Sequence, residues 1–232
     1  MWDLIHNYAV FFLIGQYPKG PLGGLSLTLL LALSALVLAL PVGILFGLCV
    51  VSPYKFLRRP VAFLLAILRG TPLLMVIFWA YFLLPTLTGH DTGQFATMLV
   101  SLIIFDGAYL AEIFRAGIQA LPRGQMEAAR SLGFPYAHSM RFVILPQAMR
   151  NMLPSVVNQL VSTIKETSFG YIISLPEISF VTGQIGTEEL SHAFGVYGIL
   201  VFTYFVLCFG LSRFAYLLER HLGSRSSLRL KS

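Results

Sequence analysis

Apolar positions along this 232-residue chain form long unbroken runs, unlike the short periodic faces of a soluble protein. No charged residue occurs in residues 21–54, a stretch longer than the ~20 residues that cross a bilayer as a helix. It predicts a first span at about 25–51. Later runs predict four more spans, at about 61–84, 92–115, 151–174 and 193–218. The pattern predicts an all-α membrane protein with five transmembrane helices in a single domain, 1–232.

Two of these predicted spans are interrupted by charge. The charge-free stretches 92–105 and 151–164 contain 14 residues each. At ~1.5 Å per residue such a helix is about 21 Å long, shorter than a hydrocarbon core of ~30 Å. To cross, the helices must bring ionisable side chains into or near the membrane: Asp106 or Glu112 in one, Lys165 or Glu166 in the other.

Composition supports the same class. Hydrophobic residues make up 56% of the chain and charged residues 11%, with a mean hydropathy of +0.78; soluble domains carry roughly 25% charged residues. The net charge of +6 would suggest nucleic acid in a soluble protein, but here it is assigned to membrane loops, and no nucleic-acid partner is predicted. Cys49 and Cys208 lie in apolar runs and are interpreted as packing residues, with no disulfide or metal role.

The distribution of basic residues predicts the orientation. One set of loops contains the C-terminal tail and Lys55, Arg58, Arg59, Arg123, Arg130, Arg141 and Arg150. The other set contains only Lys19, together with Asp91, Glu177, Glu188 and Glu189. Because cytoplasmic loops collect Lys and Arg, the N-terminus is predicted outside and the C-terminus inside. Residues 1–15 are interpreted as an interfacial helix, without the features of a signal peptide.

The predicted cytoplasmic loop, about 116–150, has a helical pattern of its own. Good helix formers follow Pro122, and Gly133 is expected to stop that helix. A second short helix is predicted at 137–145, ended by Pro146. Small Ala128 and Ala129 would allow close approach of a partner, and Glu127 and Arg141 are candidates to pair. The alternative from spacing alone is an ordinary amphipathic loop at the membrane surface.

Ionisable groups inside a membrane are costly and tend to line aqueous or ligand sites. Arg69 and Lys165 are candidates to bind an anionic group, and acids such as Glu166 are candidates to bind a cationic one. The other polar candidates are Thr71, Asn158, Thr167 and Ser168. The alternative is structural: Arg69 reaches the surface, Lys165 and Glu166 pair with neighbours or with Asp106, and Asp106 and Glu112 hold helices together.

Several sequence blocks together resemble the permeases of polar amino acid ABC importers. They are Glu127-Ala128-Ala129 with Gly133 and Val143-Ile144-Leu145-Pro146, the stretches 105–118 and 124–133, Leu145 to Arg150, Lys165-Glu166-Thr167-Ser168, and Arg69 to Leu74. Their order and spacing fit across about residues 25–218. Three residues depart from the usual pattern, which has Ile at Val143, Asp at Glu166 and Leu at Phe169.

The resemblance implies a type I ABC importer permease fold in the bacterial inner membrane. The implied ATPase-coupling residues are Glu127, Ala128, Ala129, Gly133, Arg141, Leu145 and Pro146. The implied partners are an ABC ATPase dimer that binds ATP and Mg²⁺, a second permease subunit (the same chain or a homologue) and a periplasmic or tethered solute-binding protein. The sequence has no G-x-x-x-x-G-K-[ST] motif, so this chain is predicted to be a transport subunit and not an enzyme.

The resemblance also bears on the substrate. The segments 105–107 and 79–82 resemble glutamate/aspartate permeases, and an acidic substrate would suit Arg69 and Lys165. Glutamine, or a basic amino acid bound by Asp106 and Glu166, stays open. A different class, an ion-driven secondary transporter with a proton relay of Asp106, Glu112 and Lys165, is disfavoured because no inverted repeat is seen. No motif supports a membrane enzyme.

Overall fold

The computed structural model describes residues 2–228, and the side chains of residues 6–222. The described chain consists of helices and short connections. The α-helices are α1 Trp2–Ile14, α2 Gly24–Val51, α3 Lys55–Gly70, α4 Leu73–Thr88, α5 Gly93–Gln119, α6 Arg123–Ser131, α7 Tyr136–His138, α8 Leu145–Glu166, α9 Ile178–Glu188 and α10 Ala193–Leu228. A π-helical segment, Ser139–Ile144, joins α7 to α8, and 3₁₀ turns Thr167–Ile173 and Leu190–His192 flank α9.

Helices α2 and α5 form the centre of the bundle. Their close approach depends on glycines: a Cβ at Gly47 would lie 2.7 Å from the Cβ of Phe114, and one at Gly107 would lie 2.9 Å from Cγ1 of Val42. A Cβ at Gly43 would overlap the Cβ of Leu110. Gly43 and Gly47 are four residues apart and both lie against α5, so they form a small-residue helix-contact motif.

The second predicted span is divided. α3 and α4 meet at a bend of 103°, since Thr71 is extended and Pro72 precedes the first residue of α4; the residue before a proline is disfavoured in helical geometry. Leu65 of α3 packs against Ala108 and Ala111 of α5. Leu73 and Ile77 of α4 join a separate apolar cluster, which contains Leu27, Leu31, Met98 and Leu102.

Three described helical segments are long and apolar enough to cross a membrane: Gly24–Val51, Gly93–Gln119 and Leu190–Leu222. The bent α3–α4 pair would make a fourth. The fourth predicted span corresponds to α8, which is less apolar, and to the 3₁₀ turn after it. The chain is thus an all-helical, multi-pass membrane protein, while the count of five spans and the orientation of the termini stay predictions.

The two ends of the bundle differ in what covers them. At one end, the segment 120–144 packs against the ends of α2 and α5, and the Tyr136 hydroxyl donates to the Val51 carbonyl at 3.3 Å. At the other end, Gly24 N donates to the Pro176 carbonyl at 2.9 Å, and Ile178 N donates to Thr28 Oγ1 at 3.1 Å. The positive-inside rule predicts that the first end faces the cytoplasm.

Candidate coupling surface and substrate path

The first half of the loop forms an exposed corner. α6 ends in a Schellman motif, in which Phe134 N donates to the Ala129 carbonyl at 3.3 Å and Gly133 N donates to the Arg130 carbonyl at 3.0 Å. Gly133 has φ +86°, a value that glycine adopts without strain. The predicted helix stop at Gly133 is confirmed.

This corner presents its residues in two directions. Glu127 and Ala128 are exposed, whereas Ala129 is buried. At the turn itself, Leu132 is 79% exposed and Phe134 is 44% exposed. Exposed apolar side chains beside a charged helix mark a surface suited to a protein partner.

The second half of the loop differs from prediction at Pro146, which does not end a helix. The chain runs from the π-helical segment directly into α8, with Pro146 in the first turn of α8. Leu145 N donates to the Met140 carbonyl five residues back, and this widened turn accommodates a proline that has no N–H to donate. The loop between the long helices is therefore 120–144, shorter than the predicted 116–150.

Arg141 and Leu145 take different roles at this end. Arg141 is exposed, and its guanidinium lies 5.5 Å from the centre of the Phe142 ring. It forms no ion pair with Glu127 in the described chain, so the suggested pairing is not made. Leu145 is partly buried in the cluster that joins the loop to the bundle.

A cavity of about 560 Å³ opens at one end of the bundle and one of about 530 Å³ at the other. The smaller lies under the 120–144 loop, between Val51, Ile118, Met126 and Met140. Tyr136 also lines it, and burial raises the pKa of Tyr136. The phenol therefore stays protonated and able to donate to Val51 at physiological pH.

Asp106 is the centre of a polar cluster between α5 and α8. It is fully buried, Gln159 Nε2 donates to its Oδ1 at 2.9 Å, and Thr163 Oγ1 donates to its Oδ2 at 2.8 Å. Both donors are themselves buried. Each oxygen of the Asp106 side chain therefore accepts a hydrogen bond from α8. An ionisable residue that joins helices inside a membrane is expected to have such polar partners.

Glu166 lies beside Asp106, at the end of α8. Its Oε2 is buried and has no hydrogen-bond partner in the described chain. The neighbouring Lys165 is exposed. Of the hydroxyl candidates, buried Thr167 donates to the Ile164 carbonyl at 2.7 Å, and Ser168 donates to the Lys165 carbonyl at 2.7 Å. Asn158 is exposed on α8.

Arg69 belongs to a different cluster. Its Nη1 lies 3.2 Å from Glu112 Oε2, and Glu112 also receives hydrogen bonds from Arg115, whose guanidinium contacts Gln119. Thr71 at the bend donates to the Ile67 carbonyl at 2.9 Å. The structure therefore places Arg69 with α5 residues that face α3, while Glu166 joins the cluster on the α8 side. Within one chain these candidates do not converge.

Three polar residues in the core were missed from sequence. Gln159 and Thr163 stand four residues apart on α8, the spacing of one helical face, and this was the available signal. Glu177, expected in a solvated loop, is fully buried and caps α9 by accepting from Ser179 N and Phe180 N, each at 2.9 Å. Glu is not among the preferred N-cap residues, so residue type gave no clear signal for this role.

A membrane helix bundle with an exposed helical corner at one end and polar clusters within it is compatible with the transmembrane subunit of a transporter, and comparison with known proteins shows the class. Residues 39–224 match the family of binding-protein-dependent transport system inner membrane components. The chain belongs to this family and, within it, to the permease subunits of amino acid ABC transporters. It is not an enzyme, since ATP hydrolysis in such systems is carried out by a separate subunit.

Several curated proteins are similar. The inner membrane amino-acid ABC transporter permease YhdY of Escherichia coli (strain K12) is 35% identical over 97% of this chain, which spans only 62% of YhdY. The probable glutamine ABC transporter permease GlnP of Bacillus subtilis (strain 168) is 33% identical over 89% of this chain and 97% of GlnP. The arginine transport system permease ArtQ of the same organism is 36% identical over 74% of this chain and 78% of ArtQ.

Two solved transporter structures are also similar to this chain. A chain from the crystal structure of an amino acid ABC transporter with histidines aligns with a TM-score of 0.77 and 34% identity, covering 85% of this chain and 92% of that one. A chain of the MetNI methionine transporter in an inward-facing conformation aligns with a TM-score of 0.63 and 21% identity, covering 83% and 91%. The second likeness concerns the fold alone.

Proposed function

We propose that this chain is the membrane subunit of an ATP-driven importer that moves a polar amino acid across a bacterial cytoplasmic membrane. The observation that carries the proposal is the exposed corner of α6 and residues 132–135, which contains Glu127-Ala128-Ala129 and Gly133, the residues that resemble the coupling loop of ABC importer permeases. A partner ATPase dimer would bind this corner, and a solute-binding protein would approach the opposite end. A second permease subunit would complete the path.

The packing of the loop suggests how force reaches the bundle. Met126 and Tyr136 lie against Val51 and Ile118, the last turns of α2 and α5. The loop also continues without interruption into α8. A displacement of α6 by the ATPase would therefore be transmitted to three long helices, because packed helical contacts resist deformation.

The proposed substrate path contains Arg69, Thr71, Asn158, Lys165, Glu166, Thr167 and Ser168. An acidic amino acid remains the first proposal, with exposed Lys165 as the group that would attract its carboxylate. Arg69 supports this less directly, because Glu112 already neutralises it. In this proposal, the ion pair would have to open for Arg69 to bind substrate.

A second candidate is glutamine or a basic amino acid. The observation that favours it is that Glu166 and Asp106 lie side by side as hydrogen-bonded acids and the buried Glu166 Oε2 has no partner, since two neighbouring carboxyl groups attract a cationic group. The relatives named for glutamine and arginine transport favour the same candidate.

The test is uptake by the complex of this chain with its ATPase and binding protein in proteoliposomes, with glutamate, glutamine and arginine compared. We expect ATP-dependent uptake that is lost in Glu127→Lys. The matched control is Glu219→Lys, the same substitution at an exposed position on α10, which should transport normally. Uptake that ignores ATP and follows a proton gradient would refute the importer and favour an ion-driven transporter.

The same assay ranks the substrates. Lys165→Ala should lower glutamate uptake more than arginine uptake if the acidic proposal holds. If Glu166→Gln lowers arginine uptake more than glutamate uptake, this result would support the second candidate. Equal losses for all three amino acids in both variants would return Lys165 and Glu166 to a structural role.

A further inference from the structure

Helix α3 presents an exposed apolar face. Phe56 is 90% exposed, Phe63 is 70% exposed and Ile67 is 50% exposed. Their spacing of seven and four residues puts them on one side of the helix. Leu65, on another side, is buried against α5. The apolar face is therefore not part of the bundle core.

A row of cations lies along a different side of the same helix. Lys55, Arg58 and Arg59 are spaced at i, i+3 and i+4, so they share a face. All three are exposed, and none forms an ion pair in the described part of the chain. The first turn of α3 contains no acidic residue that could neutralise them.

The direction of α3 places its apolar face and its row of cations at a similar depth in the bundle. α3 lies at 103° to α4, so the two cannot both run along the membrane normal. Its first turn follows α2 after only Ser52, Pro53 and Tyr54, at the end that carries the coupling loop. An amphipathic helix with cations on one side and aromatic residues on another is typical of the membrane interface.

We propose that the first turn of α3 binds the headgroups of acidic phospholipids in the cytoplasmic leaflet. Lys55, Arg58 and Arg59 contact the headgroup phosphates, and Phe56 and Phe63 enter the acyl region beside them. This inference rests on the orientation in the proposed function. It assigns α3 an anchoring role separate from coupling and from the substrate path.

The chemistry favours a lipid over a soluble protein partner. Phe56 belongs to the same turn as the cations and is almost fully exposed, so the occupant must offer anionic and hydrocarbon groups within one helical turn. A phospholipid provides both. Each juxtamembrane cation contributes roughly fivefold to the attraction of acidic lipid, so three should contribute on the order of 100-fold.

The experiment measures lipid retention, not transport. The complex with its ATPase would be placed in nanodiscs of phosphatidylcholine with increasing phosphatidylglycerol, and the bound lipids counted by native mass spectrometry. We expect selective retention of phosphatidylglycerol, reduced at least tenfold in Lys55→Gln/Arg58→Gln/Arg59→Gln. The charge-keeping variant Lys55→Arg/Arg58→Lys/Arg59→Lys should retain it, and added inorganic phosphate should not displace it.

Two results would overturn the inference. One is equal retention of phosphatidylglycerol by the triple Gln variant. The other is unchanged lipid binding with loss of the co-purifying ATPase, which would assign this face to a protein. Failure of amino acid uptake alone would concern the proposed function, because lipid retention is measured without substrate or ATP.

Discussion

Arg69 Nη1 lies 3.2 Å from Glu112 Oε2, and this ion pair joins the last turn of α3 to α5. Both side chains are 32% exposed. The pair sits at the α3–α4 bend, where Thr71 is extended and its N–H donates to the Leu68 carbonyl as a helix cap. It therefore adds a polar contact between α3 and α5 at the point where α3 ends.

The first prediction tests this pair by a double-mutant cycle. Arg69→Gln and Glu112→Gln should each lower the thermal stability of the purified complex, and the double variant should lose less than the sum. We expect a coupling free energy of about 0.5–1 kcal/mol, as for partly exposed ion pairs. Thermal unfolding in detergent measures it. Strictly additive losses would mean that Arg69 is held by something other than Glu112.

The second prediction concerns the bond between α5 and α8. Asp106→Ala would leave buried Gln159 Nε2 without its acceptor, at a cost of about 1–3 kcal/mol for the unsatisfied group, while Thr163 could still donate to the Gln159 carbonyl. Asp106→Asn keeps one oxygen that can accept from Gln159 and adds an NH₂ group. Thr163 Oγ1 can accept a hydrogen bond from this group, because Thr163 can donate its own proton to the Gln159 carbonyl at 3.0 Å. We expect Asn to be tolerated far better than Ala.

Expression level and thermal unfolding of both Asp106 variants provide the measurement. Thr163→Val serves as the matched control, because it removes one donor and leaves Gln159 in place; its loss should fall between those of Asn and Ala. Equal destabilisation by Asn and Ala would show that the negative charge itself is required.

The third prediction concerns the α2–α5 contact. A side chain at Gly47 would meet the Cβ of Phe114 at 2.7 Å, and neither backbone can withdraw without separating the two central helices. Gly47→Ala should therefore cost about 1–3 kcal/mol by overpacking. Gly210→Ala on α10 is the control, since nothing lies within 4 Å of its added Cβ. Similar melting temperatures for the two variants would contradict close α2–α5 packing.

Some of this architecture was predictable and some was not, for physical reasons. Apolar runs predict helices well, because every backbone group in a bilayer must be bonded within its own segment; α2 matches its predicted bounds to one residue. The tight turn at Gly133 was predictable from residue type. The effect of Pro146 was not, because a widened turn upstream absorbs it. Which helix Asp106 and Arg69 each face depends on tertiary packing, and hydropathy contains no information on that.

The last prediction separates the shape of the coupling corner from its stability. Gly133 has φ +86°, and nothing lies within 4 Å of a Cβ added to it, so Gly133→Val has room for its Cβ but would strain the left-handed turn by roughly 1–2 kcal/mol. Because Gly133 lies at the exposed end of α6, this strain should shift the corner of α6 and leave the bundle folded. We expect substrate-stimulated ATPase activity of the complex to fall several-fold with little change in melting temperature.

Gly124→Val is the control: it lies in the first turn of the same helix, in open space and without a positive φ. Its ATPase activity should be close to that of the unmodified complex. If Gly133→Val supported full ATPase stimulation and uptake, the geometry of the corner would not matter for coupling, and the contact with the ATPase would have to lie elsewhere on the loop.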